Sequence, residues 1–211
     1  MANAEIANTT YETDAYAITH ISLGRGVATG PERLDHPALY VVSSGTVTAV
    51  FKEDGEIKER DVHYGESFIR PAYVLAYFRA VEDSVYTEIR FPNRANLAQI
   101  LREKEIFYLT DLIHYSGKNH VNILRLINDS QFKLNLIAMD PNTQREEVVL
   151  TEGDAVAICL EGSVSVYYDH KEYKMHKGEC IMCAMNHTVH LQTAENTKVL
   201  TLVTKDDADY E

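Results

Sequence analysis

Apolar and polar residues alternate over two long regions of the chain, and turn-forming residues interrupt the alternation at short intervals. In the first region the run TVTAVF begins at Thr46, and in the second the run SVSVYY begins at Ser163. Alternation with a period of two predicts strands that are buried on one face. The segments KEDGE and YDHKE, which follow these runs, are typical of hairpin turns. The chain is therefore predicted to be all-β, with two groups of short strands.

A different pattern separates the two groups of strands. In the segment PNRANLAQILREKEIFYLTDLI, Asn93 follows a proline and can cap a helix. The apolar residues Leu97, Ile100 and Leu101 have the i, i+3, i+4 spacing of one helix face, so we expect a helix over 93–104. This organisation predicts an N-terminal domain at 1–92, a helical connector at 93–113 and a C-terminal domain at 114–211.

The two groups of strands also resemble each other in sequence. The segment GESFIRPAYVLAYFRAVEDS, which begins at Gly65, aligns without a gap with GECIMCAMNHTVHLQTAENT, which begins at Gly178. In both segments a glycine and a glutamate begin a strand, and a second glutamate begins the next turn. Further upstream, Gly45 aligns with Gly162. A repeat of this length predicts two duplicated domains rather than a solenoid.

Composition and charge narrow the classes of partner. The chain has 45% hydrophobic and 25% charged residues, as globular proteins do. Its apolar runs are much shorter than the ~20 residues that a membrane-spanning helix needs. The N-terminal segment MANAEIANTT has no basic or apolar region of a secretory signal, so a cytoplasmic location is predicted. The net charge of −12 repels phosphate groups, so neither nucleic acid nor a membrane is expected as a partner.

Two of the three cysteines, Cys180 and Cys183, form a CxxC motif. The surrounding segment ECIMCA is predicted to be a strand, on which residues i and i+3 point to opposite faces and lie ~10 Å apart. A disulfide requires Cα atoms within ~7 Å, so this motif does not predict one. We expect two separate and mostly buried thiols in a reducing compartment.

The run DAVAICLEGSVSVYYDHKEYKMHKGECIMCA resembles the cupin pattern, in which a strand ends in LEG, a hairpin follows and a glycine opens a second strand. The earlier run ALYVVSSGTVTAV, with the segment YGESFIRP that follows it, is similar to the same pattern. Together the two runs cover most of the chain, which is identified as a bicupin with degenerate metal motifs. The resemblance implies two tandem cupin double-stranded β-helix (jelly-roll) barrels joined by a short helical connector.

Metal-binding cupins, as the resemblance implies, use an HxH pair and a glutamate on one strand and a histidine on a later strand. Imidazole and carboxylate groups suit iron, manganese, nickel and zinc. The corresponding positions here are Glu32, Leu34, Ala38 and Ala76 in the first copy and Val149, Thr151, Ala155 and Val189 in the second. Only Glu32 is a metal donor of this kind, so no metal cofactor is expected. A divalent metal at His187 and His190, brought inward by a one-residue slip in the segment MNHTV, is the alternative.

The inward-facing positions predict which barrel keeps a cavity. In the first barrel they are Leu34, His36, Ala38, Tyr40 and Val42, and in the second they are Val149, Thr151, Gly153, Ala155, Ala157 and Cys159. Small barrels are normally filled by their own side chains, so a run of small residues leaves room for a ligand. The predicted ligand-binding residues are Val149, Thr151, Ala155, Ala157 and Cys159, with His187 and His190 at the mouth. Closure of this space by Tyr167, Met182 or Met185 is the alternative.

These observations favour a non-catalytic bicupin that binds a small molecule, or a partner, in or near the C-terminal barrel without a metal. The first alternative is a cupin metalloenzyme of the isomerase or dioxygenase type, with His187 and His190 among unconventional ligands. A nucleophile pair of Cys159 with one of these histidines is a further variant. The third hypothesis is a purely structural or interaction role. We expect the two barrels to pack against each other within one chain, and a homodimer is compatible with this.

Overall fold

A computed structural model describes residues 5–12, 16–53, 55–93, 95–102, 105–117, 120–129, 132–150, 154–184 and 187–204 of the 211. Contacts between Cα atoms divide the chain into two compact units. The first unit consists of Met1–Arg94 and Glu103–Tyr108, and the second consists of Ala95–Arg102 and Leu109–Glu211. Nearly all of the regular structure is strand, so the predicted all-β class is confirmed.

The first unit contains two antiparallel sheets. Its strands are β1 Glu5–Glu12, β2 Ala17–Leu23, β3 Glu32–Arg33, β4 Ala38–Ser44, β5 Thr46–Glu53, β6 Glu56–His63, β7 Glu66–Arg70, β8 Leu75–Ala80, β9 Ser84–Arg90 and, after two elements of the second unit, β11 Phe107–Tyr108. The six-stranded sheet has the order β1-β2-β9-β4-β7-β11, and the four-stranded sheet has the order β3-β8-β5-β6.

The second unit repeats this plan. Its strands are β10 Asn96–Leu97, β12 Val121–Asn128, β13 Phe132–Met139, β14 Gln144–Leu150, β15 Ala155–Glu161, β16 Ser163–Tyr168, β17 Lys171–His176, β18 Cys180–Cys183, β19 His187–Gln192 and β20 Thr197–Thr204. The sheet orders are β10-β12-β13-β20-β15-β18 and β14-β19-β16-β17. The four-stranded sheets of the two units therefore have the same connectivity, with β3, β8, β5 and β6 corresponding to β14, β19, β16 and β17.

Residues that the sequence repeat aligns make the same hydrogen bonds in both units. The matched pairs are Gly65 N to Val42 O and Gly178 N to Cys159 O, both 2.8 Å; His63 N to Glu66 Oε2, 2.7 Å, and His176 N to Glu179 Oε2, 2.8 Å; Thr46 Oγ1 to Glu82 Oε1, 3.0 Å, and Ser163 Oγ to Glu195 Oε1, 2.6 Å. Each aligned glutamate accepts a hydrogen bond that fixes a turn between strands. The recurrence of these residues in the sequence therefore has a structural cause.

The core of each unit lies between its two sheets, but the two cores differ in composition. In the first unit the rings of Tyr40 and Phe68 are stacked with centroids 4.8 Å apart, and the ring of Phe78 lies 4.7 Å from that of Tyr40. The core of the second unit consists mainly of aliphatic and sulfur-containing side chains, among them Met139, Cys159, Val199 and Leu191. Large rings therefore fill the first core where smaller side chains form the second.

The connector departs from the helix predicted over 93–104. Within the described residues of this segment, the α-helix α1 covers only Gln99–Arg102, and a 3-10 helix follows at Leu109–Leu112. Leu97, which the helix pattern included, instead pairs with Ile127 in the sheet. Cross-strand pairing of β10 with β12 takes the backbone groups that a longer helix would use, so the predicted helix length is wrong. In the part of the chain described here, no helix has the length and hydrophobicity to span a membrane.

Candidate functional site

Strand β15 of the second unit carries three of the predicted ligand-binding residues. Ala155 and Cys159 are 8% and 0% exposed and belong to the core, and Ala157, which lies between them, packs against the same core but remains partly exposed. The alternation predicted for this strand is confirmed. Ala157 pairs with Ile181 on one neighbouring strand and with Thr201 on the other.

Other predicted site residues are only partly within the described structure. Val149 lies on β14, where its backbone pairs with Thr188, and His187 begins β19, where its backbone pairs with Leu150. The side chains of Val149 and His187 lie outside the described residues, as does the whole of Thr151. Their predicted roles stay predictions.

His190 does not point into the core of the second unit. It is exposed, whereas its neighbours Val189 and Leu191 are 5% and 2% exposed and belong to the core. Pairing of β19 with β16 continues without a shift through His190, opposite Tyr167, so adjacent residues must point to opposite faces. The slip that would bring His190 inward is therefore absent, and that alternative is wrong for this residue.

The positions that correspond to cupin metal ligands do not supply a ligand set. Leu34, Ala38 and Ala76 are buried hydrocarbon side chains in the first unit, as are Ala155 and Val189 in the second. Glu32 remains a donor, but its carboxylate lies 3.4 Å from the Arg70 guanidinium. Among the described residues, no three histidine, cysteine, aspartate or glutamate side chains form a group that could hold a metal ion. The residues at these positions therefore do not fit a bound metal ion. That the protein binds no metal stays a prediction.

The two buried thiols are poor nucleophiles. Burial raises the pKa of Cys159 to about 11 and that of Cys183 to about 11. The Cys159 thiol donates to the carbonyl of Gly162 at 3.4 Å. Because the thiolate is the reactive form, these groups are largely unreactive near neutral pH. The contacts described for Cys159 are with carbonyl groups rather than an imidazole, so they do not support a Cys–His nucleophile pair.

The CxxC motif lies on strand β18, and its two side chains differ in burial. Cys183 is 2% exposed, whereas Cys180 is exposed, so the prediction that both thiols are mostly buried is wrong for Cys180. Cys180 pairs with Ile158 and Cys183 pairs with Ala155 at the other end of the strand. The alternation of the strand places the two cysteines on opposite faces, as predicted.

We expect iodoacetamide to alkylate Cys180 of the native protein and to leave Cys159 and Cys183 unmodified. Desolvation raises the pKa of Cys180 as well, so the rate should still increase with pH above neutrality. Peptide mass spectrometry after limited labelling checks this, with urea-unfolded protein as the control in which all three react. Labelling of Cys159 in native protein at a comparable rate would contradict the described burial.

Two residues that sequence reasoning missed line the core of the second unit. Tyr168, rather than Tyr167, packs against this core, and its hydroxyl accepts a hydrogen bond from the Ala184 amide at 3.1 Å. Met182, the other proposed filler within the described residues, is 47% exposed. Thr201 is buried opposite Ala157 and adds a hydroxyl to an otherwise apolar wall. The alternation of β16 and β20 was the available signal, since Val164, Val166 and Tyr168 share one face.

The first unit has a buried polar network on β4, β7 and β9, the strands that correspond to β15, β18 and β20 of the second unit. The Arg70 side chain is 0% exposed and donates to the Tyr40 hydroxyl at 3.2 Å and to the Glu32 carbonyl at 2.6 Å. The Tyr40 hydroxyl donates to Glu88 at 2.5 Å, and Arg90 donates to the other oxygen of Glu88 at 2.6 Å. The Glu32 carboxylate lies 3.4 Å from Arg70. The phenol of Tyr40 therefore links the Arg70–Glu32 ion pair to the Arg90–Glu88 ion pair.

Each member of this network has an uncharged counterpart in the second unit. Tyr40 pairs with Glu88, and at the same register Ala157 pairs with Thr201. Ala38 pairs with Arg70 and Arg90, and Ala155 pairs with Cys183 and Val203. At these aligned positions the first unit therefore has large polar side chains, and the second unit has smaller, uncharged ones.

No protein-family model matches the chain, and no curated protein sequence does. Solved structures do resemble it. A cupin 2 conserved barrel domain protein from Leptotrichia buccalis superposes with a TM-score of 0.79 at 16% identity, over 96% of this chain and 89% of that one. Salicylate 1,2-dioxygenase from Pseudoaminobacter salicylatoxidans gives a TM-score of 0.67 at 12% identity, over 89% and 71% of the two chains. Oxalate decarboxylase from Lactobacillus farciminis gives 0.59 at 10% identity, over 97% and 87%. Similarity at this level of identity concerns the fold, and the chain therefore has an all-β fold of the cupin type.

Proposed function

We propose that the protein is a bicupin with degenerate metal positions that binds a small molecule, without a metal, inside its second unit. The observation that carries this proposal is the difference between Tyr40 and Ala157, which occupy the same register in the two units. Tyr40 is 1% exposed and its ring fills the first core. Ala157 faces the second core and yet retains solvent exposure, as an inward residue of a completely filled barrel would not.

The walls of this space indicate the chemistry of the ligand. Ala155, Ala157 and Cys159 present hydrocarbon or a protonated thiol from β15, and Val199 continues this apolar wall on β20. Thr201 contributes a hydroxyl directly opposite Ala157. Pockets for small molecules commonly combine an apolar lining with few polar groups that orient the ligand. A mostly apolar molecule with one polar group fits this description.

The alternative is a cupin metalloenzyme. Its support is the fold similarity to proteins described as an oxalate decarboxylase and a salicylate 1,2-dioxygenase. Against it stand the buried Ala155 and Val189 at positions where the resemblance requires a carboxylate and an imidazole. Insensitivity of ligand binding to EDTA distinguishes the proposed function from this alternative.

We expect Ala157→Phe to abolish binding of the apolar anion 1-anilinonaphthalene-8-sulfonate, measured by its fluorescence, while changing the unfolding midpoint little. A phenyl ring placed in an open space should occupy it without displacing the core. The matched control is Ala49→Phe, since Ala49 is 0% exposed in the filled core of the first unit. There the added ring should overfill the core and lower the free energy of unfolding by about 1–3 kcal/mol.

A destabilisation of Ala157→Phe as large as that of Ala49→Phe would show that the second core is also filled. If the fluorescence of the probe were also the same with Ala157→Phe as with the unsubstituted protein, the proposed binding function would be wrong. Loss of binding on treatment with EDTA would instead favour the metalloenzyme.

A further inference from the structure

A pocket of about 40 Å³ opens in the first unit, away from the proposed site in the second. It is lined by Phe51, Lys58, Arg60, Val62, Phe68, Ile69, Pro71, Glu105 and Ile106. Strand β6 is the last strand of the four-stranded sheet, and β11 is the last strand of the six-stranded sheet beside β7. The pocket therefore lies where the edges of the two sheets leave a gap over the core.

The edge strand β6 contributes two cations to this pocket. Lys58, Arg60 and Val62 alternate along the strand and so share one face, and Val62 is 1% exposed in the core. The Arg60 guanidinium forms an ion pair with the Glu105 carboxylate at 2.9 Å. Two cations and one carboxylate thus face a single pocket in a chain whose net charge is −12.

The inner wall of the pocket is apolar. The rings of Phe51 and Phe68 meet edge to face with centroids 5.7 Å apart, and Ile106 packs against the same core. A volume of about 40 Å³ accommodates roughly three water-sized groups. Together with the place that the Glu105 carboxylate now takes on Arg60, this is enough for a carboxylate with a very short hydrocarbon chain. A phosphate has no hydrocarbon group to place against Phe51 and Phe68, so it would not use the apolar wall of the pocket.

We propose that this pocket binds a short-chain carboxylate, which replaces Glu105 on Arg60 and directs its hydrocarbon end to Phe51 and Phe68. Glu105 already shows the geometry in which Arg60 binds a carboxylate, and its side chain is 75% exposed, so it can leave towards solvent. The feature is not part of the repeated fold, because Tyr173 occupies the aligned position of Arg60 in the second unit and is 38% exposed. This proposal does not depend on the function proposed for the second unit.

Inward charges on an edge strand also prevent sheets from joining edge to edge, which is the competing explanation of Lys58 and Arg60. That role requires neither the apolar wall nor a carboxylate partner. It predicts that Arg60→Gln and Glu105→Gln affect the protein alike, since each breaks the same ion pair. Carboxylate binding predicts opposite effects of these two substitutions.

The test is an amide NMR titration of the full chain at low ionic strength with sodium propionate, with neutral propionamide as the isosteric control. Propionate should shift the resonances of β6 and β7, and propionamide should not. Arg60→Gln should weaken propionate binding by about tenfold or more, since the charged hydrogen-bond donor is lost. Glu105→Gln should tighten it by about two- to fivefold, because an exposed competing ion pair is removed.

The matched control is Arg79→Gln, which removes an exposed ion pair with Glu59 (3.6 Å) outside the pocket and should leave the affinity unchanged. Circular dichroism verifies that each variant is folded. Equal responses to propionate and propionamide would overturn the proposal, as would changes in the same direction for Arg60→Gln and Glu105→Gln. Binding of inorganic phosphate as tight as that of propionate would also overturn it.

Discussion

Replacing Arg70 with methionine should lower the free energy of unfolding by about 3–5 kcal/mol, the range found when one partner of a buried ionic network is removed. The Arg70 side chain is 0% exposed and its hydrogen bonds connect three separate stretches of the first unit. It donates to the carbonyls of Glu32 (2.6 Å) and Val74 (3.0 Å) and to the Tyr40 hydroxyl (3.2 Å). Methionine fills part of the volume but cannot donate, so these acceptors lose a partner in the interior.

Urea-induced unfolding monitored by circular dichroism measures this difference. The control is Arg79→Met on β8, the next strand along the chain, where the side chain is 48% exposed and pairs with Glu59 at the surface. It should change the free energy of unfolding by no more than about 0.5–1 kcal/mol. If the two variants were equally stable, the network around Arg70 would not contribute to the stability of the fold.

The rest of this network is arranged so that every charge is balanced. Glu88 is 4% exposed, yet one of its oxygens accepts from the Tyr40 hydroxyl and the other accepts from Arg90. Burial, and then the charge of Glu88, hold the pKa of Tyr40 well above its ordinary value. The phenol therefore stays protonated, and remains a hydrogen-bond donor, at pH values near neutrality. Arg70 and Arg90 together compensate the carboxylates of Glu88 and Glu32.

The strands and the duplicated turns were predictable because their signals are local. Alternation identified the inner face of β15, and the glutamates of the aligned Gly-Glu pairs accept hydrogen bonds from amides only three residues earlier in both units. The positive backbone φ of Gly65 and Gly178 also follows from their own turns. Patterns of this kind depend on a few neighbouring residues, and the sequence contains them in full.

The features that escaped prediction depend on residues far apart in the chain. Arg70 precedes a proline at the end of a strand, and the hydrogen-bond partners of its buried side chain, Glu32 and Tyr40, lie 38 and 30 residues earlier in the chain. The apolar face around Leu97 fits a helix, but pairing with Ile127 makes it a strand. The inward or outward direction of His190 depends on the register of β19 against β16, which the sequence of β19 alone does not determine.

Substituting Gly162 with alanine should also lower the free energy of unfolding strongly, because this position requires glycine. Gly162 has a φ of +73°, and a Cβ atom there would overlap the backbone carbonyl oxygen of Asn196. The aligned Gly45 repeats this arrangement, with φ +72° and a Cβ position 2.5 Å from the carbonyl oxygen of Asp83. The backbone conformation alone costs about 1–2 kcal/mol for an L-residue. Overlap with a backbone atom, which cannot rotate away, should raise the loss for Gly162→Ala and Gly45→Ala to about 3 kcal/mol or more.

Gly178→Ala separates the two contributions. Gly178 also has a positive φ, +88°, but a Cβ atom there would have no neighbour within 4 Å. Only the backbone contribution of about 1–2 kcal/mol should remain, measured by urea unfolding as for the other variants. If Gly178→Ala and Gly162→Ala lost the same stability, close approach of the backbone at Gly45 and Gly162 to a later turn would not be the reason for glycine there. A larger loss at both of these positions would show that each unit needs glycine where the chain passes from one sheet to the other against that turn, for the same steric reason.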